Sequence, residues 1–404
     1  MSGVAAILAV STLVLVAYVY VGYPCLLWLL SRHWRRPVEC RPCTPSLTLI
    51  VSAFNEASTI RAKLENCLML DYPRDSLRIV VVSDASNDGT DDIVRDFAHA
   101  GVELLRLPER RGKTTGLNQA VAVADSEILV FSDANILYDR TALRHLARNF
   151  ADPAVGCVTG DSRYVAAAVS AAHTQETTYW SYERAIRARE SQLGSTVGGD
   201  GAIFAIRRTL YAPLAPEAIN DLVTPIQIVA RGHRAVFEPA AIGYEASAGD
   251  FRGEFRRKRR IVTRSWRGLL SVEGVLNPVR VGWFAWQVWS HKVLRWLVLP
   301  ILLVAAGASA VAAMASPVFW VVVAGFVASL AAAALGALAR RRTGRLARLA
   351  QAAFYFYVVN VAAVIGVAMA VAGRIDVVWA PQRASGSEPG REVSGVRERA
   401  APNA

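Results

Sequence analysis

The stretch RIVVVSDASNDGT, at residues 78–90, decides the fold class. Its first half is apolar on consecutive positions rather than on alternate ones, which is typical of a parallel strand covered on both faces. Its second half is polar, contains the turn formers Asn87, Asp88 and Gly89, and leads into a segment with helical periodicity. A buried strand, a polar turn and a helix in this order predict an α/β domain built on a parallel sheet.

The same alternation extends to both sides of this stretch. Between Leu47 and Tyr164 the β-branched runs are LTLIVSAF, RIVVVSDA, VELLRLP, EILVFSDAN and VGCVTG, with helical patterns between them. Ligands of parallel sheets bind beyond the carboxyl ends of the strands. The polar residues that follow these strands are Asn55, Glu56, Asp84, Asp133 and Asn135. We therefore expect these side chains to form one ligand cleft.

Several nucleotide-binding and metal patterns are absent from the sequence. No GxGxxG or Walker A pattern follows a strand, so neither a dinucleotide fold nor a P-loop is supported. The nearest lookalike, RRGKTTG at residues 110–116, lacks the first glycine and the spacing. Cys40 and Cys43 have no second cysteine pair at zinc spacing, so reduced thiols are the expectation.

The net charge of +12 calls for an anionic partner. The basic residues cluster beside apolar segments rather than in a nucleic-acid motif, which favours anionic membrane lipid and diphosphate over nucleic acid. The densest cluster is RGEFRRKRRIVTRSWR at residues 252–267. Each basic group near an anionic surface contributes about 1 kcal/mol, so this segment is expected to lie beside the membrane.

Apolar segments predict a multi-pass membrane protein. Residues 4–30 are almost uninterrupted apolar, which exceeds the roughly 20 residues that a spanning helix needs. Three further apolar stretches lie near 293–315, 318–339 and 352–373, and the sequence leaves open whether the last crosses fully. Basic residues follow the first helix and fill the loop at 340–348, so the positive-inside rule places both on the cytoplasmic side. The inner (plasma) membrane is the expected location.

The predicted organisation has four parts. A transmembrane helix at 1–30 precedes a cytoplasmic α/β domain at 31–280, and residues 281–375 form an interfacial helix followed by three transmembrane helices. The tail at 376–404 is poor in aliphatic residues and is expected to be disordered. His291, in the tryptophan-rich interfacial run, is expected to have a structural role. The helix at about 170–191, with Trp180, Tyr182 and Glu183, has two interpretations, lining of the cleft and packing in the core, and core packing is the expectation.

Four motifs follow one another in the order and spacing of a known family. They are VSAFNE at 51–56, SDASNDGT at 83–90, GKTTGLNQA at 112–120 and DAN at 133–135. On these motifs the chain resembles the family 2 glycosyltransferases, inverting enzymes with the GT-A fold, from about Leu47 to Trp266 and in the flanking helices. It is similar to the synthases of cellulose, hyaluronan and chitooligosaccharides. Ser52 departs from the pattern, because proline is common at that position.

The resemblance implies a set of donor contacts. These are Phe54, Asn55, Glu56, Asp84, Lys113 and Asp133. Asp84 stands at the acid that meets the nucleotide base, and Lys113 at the lysine that approaches the base or diphosphate from a helix N-terminus. The residues alone leave alternatives open: an Asx turn that caps the next helix explains the acids of the second motif, and a solvated lysine explains Lys113. The implied donor is a nucleotide-sugar, with UDP as the family-level expectation.

The DAN segment occupies the place of the family's Asp-x-Asp metal motif. The resemblance therefore implies a divalent cation, Mg²⁺ or Mn²⁺, held by Asp133 and Asn135. Such cations take oxygen ligands, and Mg²⁺ is usually bound by one or two carboxylates together with substrate phosphates. Asn135 replaces the second acid, which gives up a negative charge and should weaken the affinity for free metal. We expect the metal to bind together with the nucleotide.

Inverting transfer needs a base that takes the proton of the acceptor hydroxyl. Asp221 matches the acid that opens the family's helix before the next strand, although Asn220 replaces the usual preceding acid; the predicted helix runs from about Leu222 to Arg231. Asp221 is the predicted base and also a natural N-cap. Asp200, in GGDGAIFAIRR, is the second candidate for the base. The resemblance places this segment on the acceptor side of the cleft, where its glycines permit close approach of the backbone, so Asp200 and Gly201 are predicted to bind the acceptor.

Processive members of the family carry Gln-x-x-Arg-Trp after the base. In IVTRSW, at 261–266, the glutamine is absent and the tryptophan is one residue late. Arg260 and Arg264 are candidate diphosphate ligands, with a lipid-facing basic helix as the equal alternative, and Trp266 is a candidate acceptor platform. Processive synthesis is therefore not expected.

The predicted function is transfer of a sugar to a hydroxyl of a lipid-linked or growing saccharide in cell-envelope or exopolysaccharide synthesis, with polysaccharide-assembly proteins as partners. The rivals are a polyprenyl-phosphate sugar synthase and a catalytically silent membrane scaffold.

Overall fold

The computed structural model of the chain describes residues 2–165, 171–246, 251–339, 342 and 344–374. One eight-stranded mixed sheet organises the polar domain, with strand order β3-β2-β1-β4-β7-β6-β8-β5. The strands are β1 Leu47–Ala53, β2 Leu77–Ser83, β3 Val102–Arg106, β4 Ile128–Asp133, β5 Ile136–Tyr138, β6 Val155–Val165, β7 Ile203–Arg207 and β8 Arg234–Ala246.

Parallel pairing in the first half of the sheet aligns the strand ends. Strand β1 pairs in parallel with β2 and β4, and β2 pairs in parallel with β3. Ser52 is opposite Asp133 in register and Ala53 is opposite Ser83, so the turns that follow these strands emerge side by side. The second half is mixed: β7 is antiparallel to β4 and β6, β6 is parallel to β8, and β5 is antiparallel to β8.

The helices cover the sheet and continue into an apolar bundle. They are α1 Ser2–Ala17, α2 Tyr23–His33, α3 Ile60–Leu68, α4 Thr90–Asp96, α5 Lys113–Val123, α6 Ala142–Ala147, α7 Ala171–Leu193, α8 Asn220–Ala230, α9 Phe251–Leu270, α10 Pro278–Val281, α11 Trp283–Val288, α12 Leu294–Trp296, α13 Val298–Ala313, α14 Phe319–Leu338 and α15 Arg345–Val371. Apolar side chains are buried on both faces of the sheet, as the consecutive apolar runs predict.

The first two helices form one continuous rod, Ser2–His33. A π-helical turn, Tyr18–Gly22, joins them directly before Pro24. Proline lacks the N–H group that the regular ladder requires, and its ring clashes with the carbonyl one turn earlier, so a widened turn at this place has a local cause.

Three helices have the length and apolar composition of membrane spans within the described residues: Ser2–His33, Phe319–Leu338 and Arg345–Val371. A fourth span results if Trp283–Trp296 and Val298–Ala313, which meet at 66°, are counted as one. The bend precedes Pro300, whose ring is incompatible with a straight helix through Trp296. Large apolar side chains on these helices, such as Val4, Trp320 and Leu335, are exposed, as lipid-facing residues are.

The polar domain packs directly on the last apolar helix. Helix α9 lies along α15, and a Cβ at Gly366 would be only 2.8 Å from the carbonyl oxygen of Arg259. Glycine at this position therefore permits the close approach of the two helices. The basic segment 252–267 forms α9 and thus lies against the apolar bundle.

The five strands expected from the sequence are confirmed, and so is the mixed α/β class. Strands β5 and β7 were not expected. The helix after the second motif begins at Thr90 with Gly89 as its N-cap, and Asp88 instead accepts hydrogen bonds from the backbone and hydroxyl groups of Thr90. The described residues end at Arg374, so the tail at 376–404, predicted to be disordered, lies outside them.

Candidate active site

A cavity of about 850 Å³ opens at the carboxyl ends of β1, β2 and β4. Of the residues predicted for the site, those that line it are Phe54, Glu56, Asp84, Lys113, Asp133, Asn135, Asp200, Gly201, Asp221, Arg260 and Arg264. Asn55 and Trp266 are not part of the lining. The common strand edge thus brings residues from distant parts of the sequence together, as the sheet topology requires.

The turn after β1 is fixed by the turn after β2. Asn55 has a positive φ of 54°, a conformation that asparagine tolerates better than most residues. Its side-chain oxygen accepts from the backbone N–H of Asn87 at 3.0 Å, and its own N–H donates to Ser86 Oγ at 3.1 Å. Asn55 therefore supports the rim of the cavity by holding two loops together.

Asp84 is bound to the loop that begins α5. Its Oδ1 accepts from the backbone N–H of Arg111 at 2.7 Å, and its Oδ2 accepts from the N–H of Gly112 at 2.9 Å. Gly112 has a positive φ of 87°, which aims its N–H at this carboxylate. Asp84 lines the cavity and at the same time fixes the position from which Lys113 extends. The predicted contact to a nucleotide base stays a prediction.

Phe54 forms an aromatic surface at the cavity rim. The guanidinium of Arg110 lies over its ring, 3.8 Å from the centroid. A flat apolar ring paired with a planar cation is a suitable surface for stacking a nucleotide base.

Lys113 and Asp133 form an ion pair inside the cavity. Lys113 Nζ donates to Asp133 Oδ1 and lies 3.3 Å from the carbonyl oxygen of Gly201. The carboxylate that the sequence predicts as a metal ligand is therefore already in contact with a cation. This contact supports a role for Asp133 in binding positive charge at this place.

Asn135 meets a carboxylate that the sequence did not predict. Its Nδ2 donates to Glu245 Oε1 at 2.9 Å, and Glu245 lines the same cavity. Burial and the neighbouring charge of Asp133 raise the pKa of Glu245 to about 8. Glu245 lies on β8, in register with Ile136 of β5.

The oxygen atoms at this place fit a hard divalent cation. No group of three or more His, Cys, Asp or Glu with metal-binding geometry occurs among the described residues. Asp133 and Asn135 supply a carboxylate and an amide oxygen, which is a set that Mg²⁺ or Mn²⁺ completes with phosphate oxygens and water. The arrangement agrees with a metal that binds together with a nucleotide.

Asp221 is the second residue of α8 and not its N-cap, because the helix begins at Asn220 and Ile219 holds the N-cap position. Its Oδ1 is buried and accepts no hydrogen bond from the described residues. Burial raises the pKa of Asp221, Lys113 and Arg187 act to lower it, and Asp200 and Asp133 act to raise it. A carboxyl group with a raised pKa in the wall of a cavity has the properties of a general base.

The glycine-rich loop at residues 198–201 is hydrogen-bonded to the backbone of Asp221, and the sequence explains why. Pro225 has no N–H to donate to the Asp221 carbonyl one helical turn earlier. That carbonyl accepts from the N–H of Gly199 instead, at 2.5 Å. A Cβ at Gly201 would lie 2.9 Å from Asp221 Oδ2, so glycine leaves room for the carboxylate.

Asp200 is held in the wall of the cavity. Its N–H donates to Thr159 Oγ1 at 2.7 Å, and its carboxylate lies 3.5 Å from Arg187. The Nε of Arg187 is buried and makes no hydrogen bond among the described residues, although its guanidinium lies over Trp180. Arg187 was missed from the sequence because nothing in α7 marks one arginine among several.

The two candidate diphosphate ligands differ in their surroundings. Arg264 donates to the carbonyl oxygens of Pro216, Glu217 and Ala218, at 3.3, 2.8 and 2.6 Å respectively. Burial lowers its pKa. Both arginines line the cavity, and the guanidinium of Arg264 also stabilises the chain segment before α8.

Trp266 packs away from the cavity. Its ring contacts that of Trp296, with centroids 5.9 Å apart, within an apolar cluster of α8, α9 and α11. Its position gives no support to a role as acceptor platform.

The cavity continues to the apolar helices. Its far wall includes Tyr20 of the first helix, Tyr355 and Asn360 of α15, and Lys258 and Lys292. Tyr20 Oη donates to Asn360 Oδ1 at 3.5 Å, so two candidate membrane spans meet at this wall. Lys292 has no hydrogen bond or ion pair in the described part of the chain.

Helix α7 faces this region rather than the core alone. Trp180, Tyr182 and Glu183 line the cavity, which corrects the expectation of core packing. His291 is buried between two carboxylates, with Nδ1 at 2.8 Å from Glu190 and Nε2 at 3.0 Å from Glu183. Its structural role, joining α7 to the helix before the bend, agrees with the expectation.

The chain is similar in sequence to known glycosyltransferases. Residues 48–214 match the sequence model of glycosyl transferase family 2. A probable glycosyltransferase, YdaM, of Bacillus subtilis is 28% identical over 233 residues, 54% of each chain. Poly-beta-1,6-N-acetyl-D-glucosamine synthase of Staphylococcus aureus is 25% identical over 202 residues, 48% of each. The chain thus spans about half the length of the curated relatives it matches.

One solved structure covers nearly the whole chain. The mannosyltransferase PcManGT from Pyrobaculum calidifontis, in complex with GDP-Man and Mn²⁺, is 27% identical, with a TM-score of 0.63. The alignment covers 88% of this chain and 99% of that one. The sheet, the cavity and these similarities define a GT-A glycosyltransferase domain with flanking apolar helices. By sequence, residues 48–214 match the family 2 glycosyltransferases.

Proposed function

We propose that the protein transfers a sugar, with inversion, from a nucleotide-sugar to a hydroxyl of a membrane-linked saccharide acceptor. The observation that carries this proposal is the single cavity, which joins Asp133 and Lys113 at the strand ends to Asp221 and to the wall formed by the apolar helices. One end suits a charged nucleotide and the other end suits a molecule that arrives from the bilayer.

Donor binding rests on the strand edge. Phe54 stacks on the base, the loop held by Asp84 fixes the start of α5, and Lys113 exchanges Asp133 for the donor diphosphate. A divalent cation held by Asp133 and Asn135 would stabilise the charge that develops on the departing diphosphate. The Mn²⁺ and GDP-Man of the similar mannosyltransferase support this assignment.

Asp221 takes the acceptor proton on its carboxylate, which lies in the wall of the cavity. The raised pKa makes the carboxylate a stronger base than an exposed aspartate. Asp200, Gly201 and Arg187 orient the acceptor from the opposite side of the glycine-rich loop.

The membrane end favours a lipid-linked acceptor in cell-envelope or exopolysaccharide synthesis. Lys258, which is paired with Glu254, and Lys292 line the same cavity as the aromatic residues Tyr20 and Tyr355, a combination that suits an anionic headgroup beside an apolar chain. The catalytic domain then faces the cytoplasm at the inner membrane. Assembly proteins of a polysaccharide system are the proposed partners.

The test is release of nucleotide diphosphate from UDP-, GDP- and dTDP-sugars by the detergent-solubilised chain, with Mn²⁺ or Mg²⁺ and membrane lipid extract. UDP-sugars are the family expectation, and GDP-mannose is the donor in the similar structure. We expect one donor to be consumed. When its sugar is labelled, the label should be recovered in a lipid-linked saccharide, at an anomeric centre inverted relative to the donor.

The rival activities predict other outcomes of the same test. Label on a lipid monophosphate, with turnover that does not depend on Asp221, would indicate a polyprenyl-phosphate sugar synthase, because a phosphate acceptor needs no base. No consumption and no nucleotide binding would indicate a silent scaffold.

A further inference from the structure

The metal motif of this chain lacks its second acid, and a carboxylate from another strand lies at the same place. Asn135 donates through Nδ2 to Glu245 Oε1 at 2.9 Å. This bond uses the amide nitrogen, so the amide oxygen is the atom left for a ligand. Glu245 lines the cavity together with Asp133 and Asn135.

The sheet brings Glu245 to this position. Strand β8 lies between β6 and β5, with Glu245 opposite Tyr164 on one side and Ile136 on the other. Asn135 directly precedes Ile136. The antiparallel pairing of β5 therefore fixes the contact between Asn135 and Glu245 through the backbone ladder rather than through mobile loops.

The charge at this place calls for a cation. Asp133 and Glu245 are two carboxylates on one wall, and Lys113 is paired with Asp133. When Lys113 turns to a bound diphosphate, Asp133 loses its cationic partner, and the carboxyl group of Glu245 lines the same cavity. Hard divalent cations bind two carboxylates together with phosphate oxygens.

Resting on the proposed function, we infer that Glu245 is the second carboxylate ligand of the nucleotide-bound divalent cation and replaces the acid that Asn135 lacks. Asp133 and Glu245 bind the metal from two different strands. Asn135 joins them by holding Glu245 with its amide nitrogen and offering its oxygen to the ion.

The experiment measures Mn²⁺ binding by the full-length chain, from the loss of the free-ion EPR signal, with GDP or UDP present. Glu245→Gln keeps an acceptor for the Asn135 amide and keeps the side-chain volume, but it removes the charge. We expect it to weaken Mn²⁺ binding about ten-fold or more. The matched control is Glu103→Gln. Glu103 is an exposed residue of β3 that is paired with Arg78, so this substitution should leave Mn²⁺ binding unchanged.

A second substitution separates ligation from misfolding. Asn135→Asp restores an acid to the motif, so Glu245→Gln combined with Asn135→Asp should return Mn²⁺ affinity to within about three-fold of wild type. Recovery in the double variant also demonstrates that Gln is tolerated at position 245. Asn135→Asp alone should bind Mn²⁺ more tightly than wild type, since three carboxylates then face the ion.

Four results would overturn the inference. Equal Mn²⁺ affinity of wild type and Glu245→Gln would make Glu245 a positioning group only. A folded double variant that binds no better than Glu245→Gln would exclude the exchange of ligands. Metal-independent release of nucleotide diphosphate, with no Mn²⁺ binding, would overturn the inference while leaving the proposed transferase function intact; absence of both nucleotide binding and release would overturn both.

Discussion

Gly201 controls the position of the proposed base, and Gly201→Ala tests that position with one methyl group. The added Cβ would lie 2.9 Å from Asp221 Oδ2 and 3.3 Å from its Cγ, whereas ordinary contact begins at 3.4 Å. The carboxylate must therefore move by about 0.5 Å. The φ angle of Gly201 is not positive, so alanine brings no backbone strain of its own.

The expected effect is on turnover rather than on donor binding. Misplacement of a catalytic group by 1 Å costs about 100-fold in rate, so a shift of half that size should lower kcat about ten-fold. The proposed donor contacts of Lys113 and Asp133 do not involve the Cβ position of residue 201. Nucleotide affinity, measured by calorimetry, should stay within about two-fold of wild type, while single-turnover transfer slows.

Gly232→Ala serves as the control. Gly232 has a φ of 88° with open space around the Cβ position, so alanine there costs about 1 kcal/mol of stability without touching the cavity. It should lower the thermal midpoint and leave kcat unchanged. If Gly201→Ala kept full turnover, or lost nucleotide affinity to the same degree as turnover, the position of the Asp221 carboxylate would not limit catalysis and the reasoning would fail.

Two further predictions concern charged groups. Asp84→Asn removes the charge from the hydrogen bonds to the start of α5, so it should lower the free energy of unfolding by about 2 kcal/mol and weaken nucleotide binding. Urea unfolding measures the first effect and calorimetry the second. If neither the free energy of unfolding nor the nucleotide affinity changed, the account would be contradicted. Lys63 is fully buried over the ring of Tyr138, its Nζ has no hydrogen-bond partner among the described residues, and burial lowers its pKa. In the unfolded chain this lysine is protonated below about pH 10.4, whereas burial opposes its charge in the folded chain. Lys63→Met should therefore raise the thermal midpoint at pH 7, and this gain should shrink as the pH rises from 7 toward about 10.4. A lower midpoint at pH 7 would mean that the contact with the ring outweighs the burial of the charge.

The sequence predicts the parts of the fold that depend on local patterns. Consecutive β-branched runs identify β1 to β4 and β6, because a strand buried on both faces has no polar alternation. Strand β5 is three residues long and follows β4 after a turn of two, so no periodicity can distinguish it from the end of the preceding strand. Its existence depends on pairing with β8, a contact that local sequence does not encode.

Only part of the candidate site could be predicted from the sequence. Asp84, Lys113 and Asp133 were found because each follows a strand in a recognisable motif, and the cavity contains all three. Glu245 and Arg187 were missed because they reach the cavity from β8 and α7, in segments without a motif. The contact of Glu245 with Asn135 spans 110 residues of sequence. Trp266 was a candidate because of its motif position, but packing against Trp296 determines where its ring lies.

The central claim is that donor binding and proton removal are separate tasks of two carboxylates, and a comparison of Asp133→Ala with Asp221→Asn tests it most directly. Nucleotide-sugar affinity and single-turnover transfer are measured on both full-length variants. We predict that Asp133→Ala abolishes donor binding, whereas Asp221→Asn binds the donor as wild type does and loses transfer. Equal loss of donor binding in both variants, or undiminished transfer by Asp221→Asn, would contradict the account.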